Sequence, residues 1–288
     1  MAENGRFVGN IAGQKAGDLE PEFSRWWDQV TPGNAGKWAV AEPEEGTYRW
    51  ESLDAVYELS RRLGIPFKQH TFAWGLQQPE WIHQYVPEEQ TPRIERWIRD
   101  FAARYREVEL IDVVNEPLTH PAPYRWALGG SGATGWDWVV RLFELARTAC
   151  PGSALLINEH SVPRDAGKMD EYLRIVTVLR DRGLVDGVGL QAHYLESTPL
   201  ETIRSNLARV VATGMPLYVS EFDVDIADDA RHLEVFTSIF GVFWEADAVC
   251  GVTLWGYREG SMWRKHGYLV RADGSLRPAM EWLMERVR

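Results

Sequence analysis

A (β/α)8 barrel is the fold that this 288-residue chain predicts, on three observations. Short runs rich in β-branched and aromatic residues alternate with amphipathic stretches of helical period, the rhythm of repeated βα units on a parallel sheet. Eight such runs can be counted. The length suits one barrel of the usual ~250 residues. No low-complexity linker or abrupt charge shift divides the chain, so residues 1–288 are read as a single domain.

Taken in order, the first two strand candidates are FVGNIAG (7–13) and DQVTPGN (28–34). The helical run SLDAVYELSRRLG ends on Gly64, as helix ends tend to, and leads into PFKQHTFAW (66–74). RIERWIRDFAARY (93–105) precedes ELIDVVNEP (109–117), and WVVRLFELARTAC stops before Pro151 and leads to ALLINEH (154–160). KMDEYLRIVTVLRDRG closes on Gly183 before DGVGLQAHY (186–194). PLYVSEFDVD (216–225), the helical EVFTSIFGVFWEA and VCGVTLWGY (249–257) complete the series.

Composition bounds the function. Apolar residues make up 45% and charged residues 25%, an ordinary globular balance. The net charge of −11 opposes a polyanion, so no nucleic-acid partner is expected. No apolar run approaches the ~18 to 20 residues of a membrane helix, and the first residues lack a signal-peptide apolar core. A soluble chain that does not engage a membrane is expected, and a monomer. Cys150 and Cys250 lie far apart without a CxxC motif and are both read as buried free thiols. Fourteen tryptophans are many for this length; each indole either fills core or offers a flat face to a ligand.

In such a barrel, catalytic groups sit where strands give way to loops at the C-terminal face. In IDVVNEP the apolar strand runs into Asn115 and Glu116, and Pro117, with no N–H to donate, ends the ladder. YVSEFDVD repeats the arrangement with Glu221, and places Asp223 on the same face two residues on. Two carboxylates at the mouths of the fourth and seventh strands suit glycosidic cleavage, in which one acid protonates the leaving oxygen and another carboxylate meets the anomeric carbon. Glu116 is assigned as acid and then base, and Glu221 as nucleophile, with their carboxyls ~5 to 5.5 Å apart. Gln191 and His193, at the mouth of the sixth strand, are candidate donors to Glu221, and Asn115 a candidate donor to the sugar 2-OH. A zinc site from His70, His193 and a carboxylate lacks any HExxH-like pairing. The mechanism requires no cofactor or metal.

These residues and four further motifs carry a resemblance over nearly the whole chain. VTPGNAGKW (30–38), HTFAWGLQQPEWI (70–82), IDVVNEP (111–117), VGLQAHY (188–194), YVSEFDVD (218–225) and GVTLWGYREGSMWR (251–264) stand in the order found in glycoside hydrolase family 10, the endo-1,4-β-xylanase family. The resemblance implies a (β/α)8 barrel and retaining chemistry on xylan or xylo-oligosaccharides. It makes Glu116 the acid/base and Glu221 the nucleophile. It places Asn34 and Lys37 on the sugar beyond the cleaved one, and His70, Trp74 and Asn115 around the cleaved sugar. Gln191 and His193 would support the nucleophile, and Trp255 and Trp263 would form the aromatic wall of the glycone subsites.

The chain also departs from the family pattern. Gly33 stands where the family has Glu, removing a carboxylate from the distal sugar, and Gly75 stands where a second His follows Trp74. Glu159, His160 and Ser161 replace Asp-Tyr-Asn after the fifth strand, on the leaving-group side. Cys250 keeps one half of a usual disulfide, but Trp244 holds its partner's place, so no bridge is expected. The rival readings are a carbohydrate-binding barrel with impaired catalysis and another retaining β-glycanase, cellulase-like. A polymeric substrate favours export from the cell.

Overall fold

The computed structural model describes residues 6–12 and 23–287. All eight predicted strands form, each trimmed by one to four residues to its hydrogen-bonded part: β1 Phe7–Ala12, β2 Gln29–Pro32, β3 Lys68–Ala73, β4 Leu110–Asn115, β5 Ala154–Glu159, β6 Gly187–Ala192, β7 Leu217–Phe222 and β8 Val249–Leu254. Gly13, the last residue of the first predicted strand, lies outside the described residues. The pairing is parallel throughout, in the order β2-β1-β8-β7-β6-β5-β4-β3. Between β2 and β3 the ring is joined by one bridge, Val30 to Phe67, with the Val30 N–H donating to the Pro66 carbonyl at 3.0 Å.

The helices are α1 Phe23–Trp26, α2 Trp38–Ala41, α3 Glu51–Leu63, α4 Pro87–Arg104, α5 Asp137–Ala149, α6 Ala166–Arg180, α7 Leu200–Val211, α8 Asp229–Trp244 and α9 Pro278–Val287. α3 closes on Gly64 at φ 64°, a left-handed cap that glycine takes without a Cβ penalty. The helix read from Arg93 begins earlier, at Pro87, and runs through Pro92. Pro87 at the first position has no N–H to lose from the ladder, whereas Pro92, the sixth residue, forgoes one bond near the helix start. Four of the fourteen tryptophans pack together on this side of the molecule. Trp38 and Trp50 each stack nearly parallel on Trp97, at 6.0 and 5.9 Å, and Trp81 meets Trp38 edge-on at 5.5 Å.

The apolar core is divided by the sheet. A large outer cluster lies between strands and helices, while Phe7, Leu110 and Leu156, with Tyr218, form a small cluster of their own. A Cβ on Gly251 would fall 2.4 Å from the Phe7 ring, so the glycine makes room for it. Other strand side chains form a polar layer: Gln29, Lys68, Asn158, Ser220 and Thr253 are all buried.

Irregularities in the sheet aim the site. Strict alternation from Asp112 would turn Asn115 away from the barrel axis. The register shifts between Asp112 and Val114, Val113 and Val114 both join the outer cluster, and Asn115 comes to lie beside Asn158. A second shift between Val219 and Phe222 lets Ser220 and Glu221 both face the interior, where each bonds Asn158. Bulges used in this way re-aim side chains next to functional sites.

Candidate active site

Glu221, on β7, is buried, and both its oxygens are held. Asn158 Nδ2 donates to Oε1 at 2.9 Å, and His193 Nε2 lies 3.1 Å from Oε2. Burial alone would push this carboxyl up. The His193 hydrogen bond and the charges of His70, His193 and Lys68 overcome it and hold Glu221 down at about 2. Burial likewise opposes the charge on His193, but Asp223, 2.8 Å from Nδ1, and Glu221 raise it to about 9. Asp223 is itself held below the usual carboxylate range: against its burial stand His193 and Arg264, whose Nη1 donates to Oδ1 at 2.6 Å.

Beneath Glu221 lies a second buried charge cluster. Asp112 Oδ2 is 2.9 Å from His70 Nδ1 and 3.4 Å from Lys68 Nζ, and Lys68 also donates to the Ser220 carbonyl at 3.2 Å. His70 Nε2 points on to Glu221 Oε1 at 4.0 Å. The arrangement can keep one carboxylate ionised in a site that excludes most water.

Glu116 follows β4 in a left-handed conformation, φ 53°, uncommon for a residue with a Cβ, and its N–H is fixed by the Asn158 carbonyl at 2.8 Å. Gln191 Nε2 donates to Oε1 at 2.9 Å, with Asn115 Nδ2 more distant at 3.5 Å, and His120 Nδ1 contacts Oε2. Gln191 therefore bonds Glu116 and not, as read from sequence, Glu221, because its side chain turns toward β4 and also reaches Asn115 Oδ1 at 3.0 Å. Asn158, which donates to both Asn115 Oδ1 and Glu221 Oε1, supplies the donor expected of Gln191. The two carboxylates are thus linked through amides on three successive strands.

Around this pair lies a cleft of about 360 Å³ that Asn34, Lys37, His70, Trp74, Asn115, Gln191, His193, Trp255 and Trp263 all line with Glu116 and Glu221. Every site residue named from the sequence is brought to it. Lys37 Nζ donates to Asn34 Oδ1 at 2.9 Å and Gln77 Oε1 at 2.7 Å, and lies 4.9 Å over the Trp74 ring. Burial lowers Lys37 to about 8, although the charges of Glu221 and Glu116 oppose this. Trp263 donates its indole N–H to Asp223 Oδ2 at 2.8 Å and meets the His193 ring edge-on at 4.7 Å. Trp255 meets His70 edge-on at 5.1 Å.

Sequence reasoning missed Asn158 and His120. Asn158 sits near the end of β5, where the rule that singled out Glu116 and Glu221 would have found it. His120 is four residues beyond Glu116, in a loop whose course nothing in the sequence fixes. Of the departures, Gly33 and His160 line the cleft, and burial lowers His160 to about 4. Glu159, raised by burial to about 7, instead accepts from Leu118 N at 2.7 Å, from Thr119 Oγ1 and from His160 N at 2.8 Å. Both cysteines are free; Cys150 is buried, but Cys250, beside Tyr218 near the start of β8, is only half-buried. His70 and His193 spend their ring nitrogens on carboxylates, and among the described residues no group of three or more His, Cys, Asp or Glu is arranged to hold a metal.

Comparison with known proteins places this geometry. Endo-1,4-beta-xylanase B of Cellvibrio japonicus is 36% identical over 280 residues, 97% of this chain and 45% of that protein. Endo-1,4-beta-xylanase 2 of Arabidopsis thaliana is 29% identical over 93% of this chain and 25% of its own length. The chain thus spans less than half the length of these two relatives. Among solved structures, xylanase 10B from Thermotoga petrophila in complex with xylobiose superposes with a TM-score of 0.86 at 22% identity, covering 99% of this chain and 94% of that one. A GH10 endoxylanase from a sugarcane soil metagenome gives 0.88 at 18% identity, covering 100% and 98%; both likenesses are of fold. The model of glycosyl hydrolase family 10 matches residues 2–286, and the chain belongs to that family.

Proposed function

We propose that the chain is an endo-1,4-β-xylanase working by double displacement. The observation that carries the reading is the contrast between two carboxylates on one cleft: Glu221 ionised by His193, His70 and Lys68, and Glu116 with one oxygen fixed by Gln191 and the other turned to His120. In the first step Glu116 gives its proton to the glycosidic oxygen while Glu221 attacks the anomeric carbon, forming a xylosyl ester and releasing the aglycone. In the second, Glu116 takes a proton from water, which displaces Glu221 and restores the β configuration. The choice of xylan rests on the printed names of the relatives and on Trp255 and Trp263, whose indole wall would crowd a hydroxymethyl group at C5. One such substituent is worth about 1 to 3 kcal/mol.

Reducing-sugar release from xylan should exceed that from carboxymethylcellulose by at least about tenfold, and NMR of the first-formed product should show the β anomer. Equal release from both polymers would overturn the substrate, and an α anomer the mechanism.

Lys37 gives a pH dependence of binding. Its ammonium is lost as pH rises through about 8, so a charged donor to glycone hydroxyls is present below that pH and absent above it. KM for xylo-oligosaccharides should rise several-fold between pH 7 and 10, and Lys37→Arg should flatten that rise; a KM independent of pH would remove Lys37 from the glycone side.

A further inference from the structure

The contact between His120 and Glu116 is built by the chain around it. Glu116 is nearly buried, and Gln191 already donates to Oε1; His120 Nδ1 contacts the other oxygen, the one left to carry the proton. Four further contacts fix the loop that carries the imidazole. The His120 N–H donates to the Glu116 carbonyl at 2.8 Å, closing the loop back on the acid. The Gly75 N–H donates to the His120 carbonyl, also at 2.8 Å, from the loop after β3. A Cβ on Gly75 would fall 2.2 Å from that carbonyl oxygen and 2.7 Å from that of Pro121, so only glycine admits so close an approach. From the other side the buried Glu159 accepts from Leu118 N and Thr119 Oγ1, the two residues just before the histidine. The ring lines the cleft, and its side chain is 42% exposed.

We propose that His120 is a positioning residue for Glu116: its Nδ1 fixes the rotamer of the carboxyl so that Oε2 meets the glycosidic oxygen when substrate enters. The inference rests on the acid/base reading of Glu116 given above. A carboxyl held at one oxygen only can swing about its last torsion, whereas a proton donor must lie within hydrogen-bond reach of the atom it protonates. His120 acts through Glu116 and carries no bond-making step of its own.

The test compares His120→Ala, His120→Asn and Glu116→Gln on xylan and on 2,4-dinitrophenyl β-xylobioside, whose leaving group needs no protonation. For His120→Ala, kcat on xylan should fall about 10- to 100-fold, part of the ~10² to 10⁴ that a placed acid contributes, with KM changed by less than about twofold. Its kcat/KM on the aryl substrate should stay near that of the unaltered chain. His120→Asn, whose amide can occupy the place of the imidazole Nδ1, should recover most of the xylan rate. Equal losses on both substrates, or an Asn variant as slow as the Ala variant, would overturn the role. Glu116→Gln separates the two claims. If it also fails to distinguish the substrates, the acid/base reading falls; if it distinguishes them and His120→Ala does not, only the role of His120 falls.

Discussion

Glu221→Ala should abolish xylan hydrolysis, with kcat reduced by about 10⁵-fold or more, the scale on which removing a covalent nucleophile acts. The loss follows from what the surroundings are built to do. His193, His70 and Lys68 are arranged about a negative charge at that position, and without the carboxylate they face an empty, water-poor pocket. A small anion could take its place. Sodium azide should restore turnover of an activated aryl β-xylobioside and release an α-xylosyl azide, since azide would attack from the side Glu221 has vacated and invert the centre once. Hydrolysis persisting within about tenfold of the parent would remove Glu221 from the reaction.

Glu116→Gln should lower kcat/KM on xylan by about 10²- to 10⁴-fold and that on 2,4-dinitrophenyl β-xylobioside far less. Glutamine keeps the shape and can still meet Gln191 and His120 by turning its amide, so the fold is undisturbed and only the transferable proton is gone. Azide added to this variant should yield the β-xylosyl azide, because it would attack an enzyme-bound ester from the face where Glu116 no longer activates water. The opposite anomers expected from the two variants assign the two faces of the sugar independently of any rate. The same azide anomer from both would undo the division of roles.

The eight strands were legible because a parallel strand in a barrel is buried on both faces and reads as a compact apolar run. Glu116 and Glu221 were legible because a carboxylate directly after such a run has little reason to be there in a strand that only packs. What could not be read depends on cross-strand register. The shifts that aim Asn115 and Glu221 inward leave no mark on period-two alternation, and the partner of Gln191 is decided by which neighbouring strand its side chain leans toward. His120 was hidden for a similar reason. Its position is set by Gly75 and Glu159, residues 45 and 39 positions away in the chain. The family pattern could flag the glycine as a departure but could not say what occupied the space.

The joint between β2 and β3 is the thinnest in the ring. At the seven other joints the strands share registers of four or more residue pairs, whereas here one bridge closes the ring. Side chains take over where the ladder stops: Asn34 and Lys37 follow β2, His70 and Trp74 lie on or just after β3, and across the gap Lys37 Nζ donates to Gln77 Oε1 at 2.7 Å and Gln69 Nε2 to the Gly36 carbonyl at 2.6 Å. This edge of the cleft is therefore held by residues that can be exchanged one at a time without touching a strand ladder. Glu116, just after β4, and Glu221, on β7, are tied together through β5 and β6 and stand apart from it. On the reading proposed above, the glycone side could be reshaped by substitution without loosening the grip on the bond that breaks.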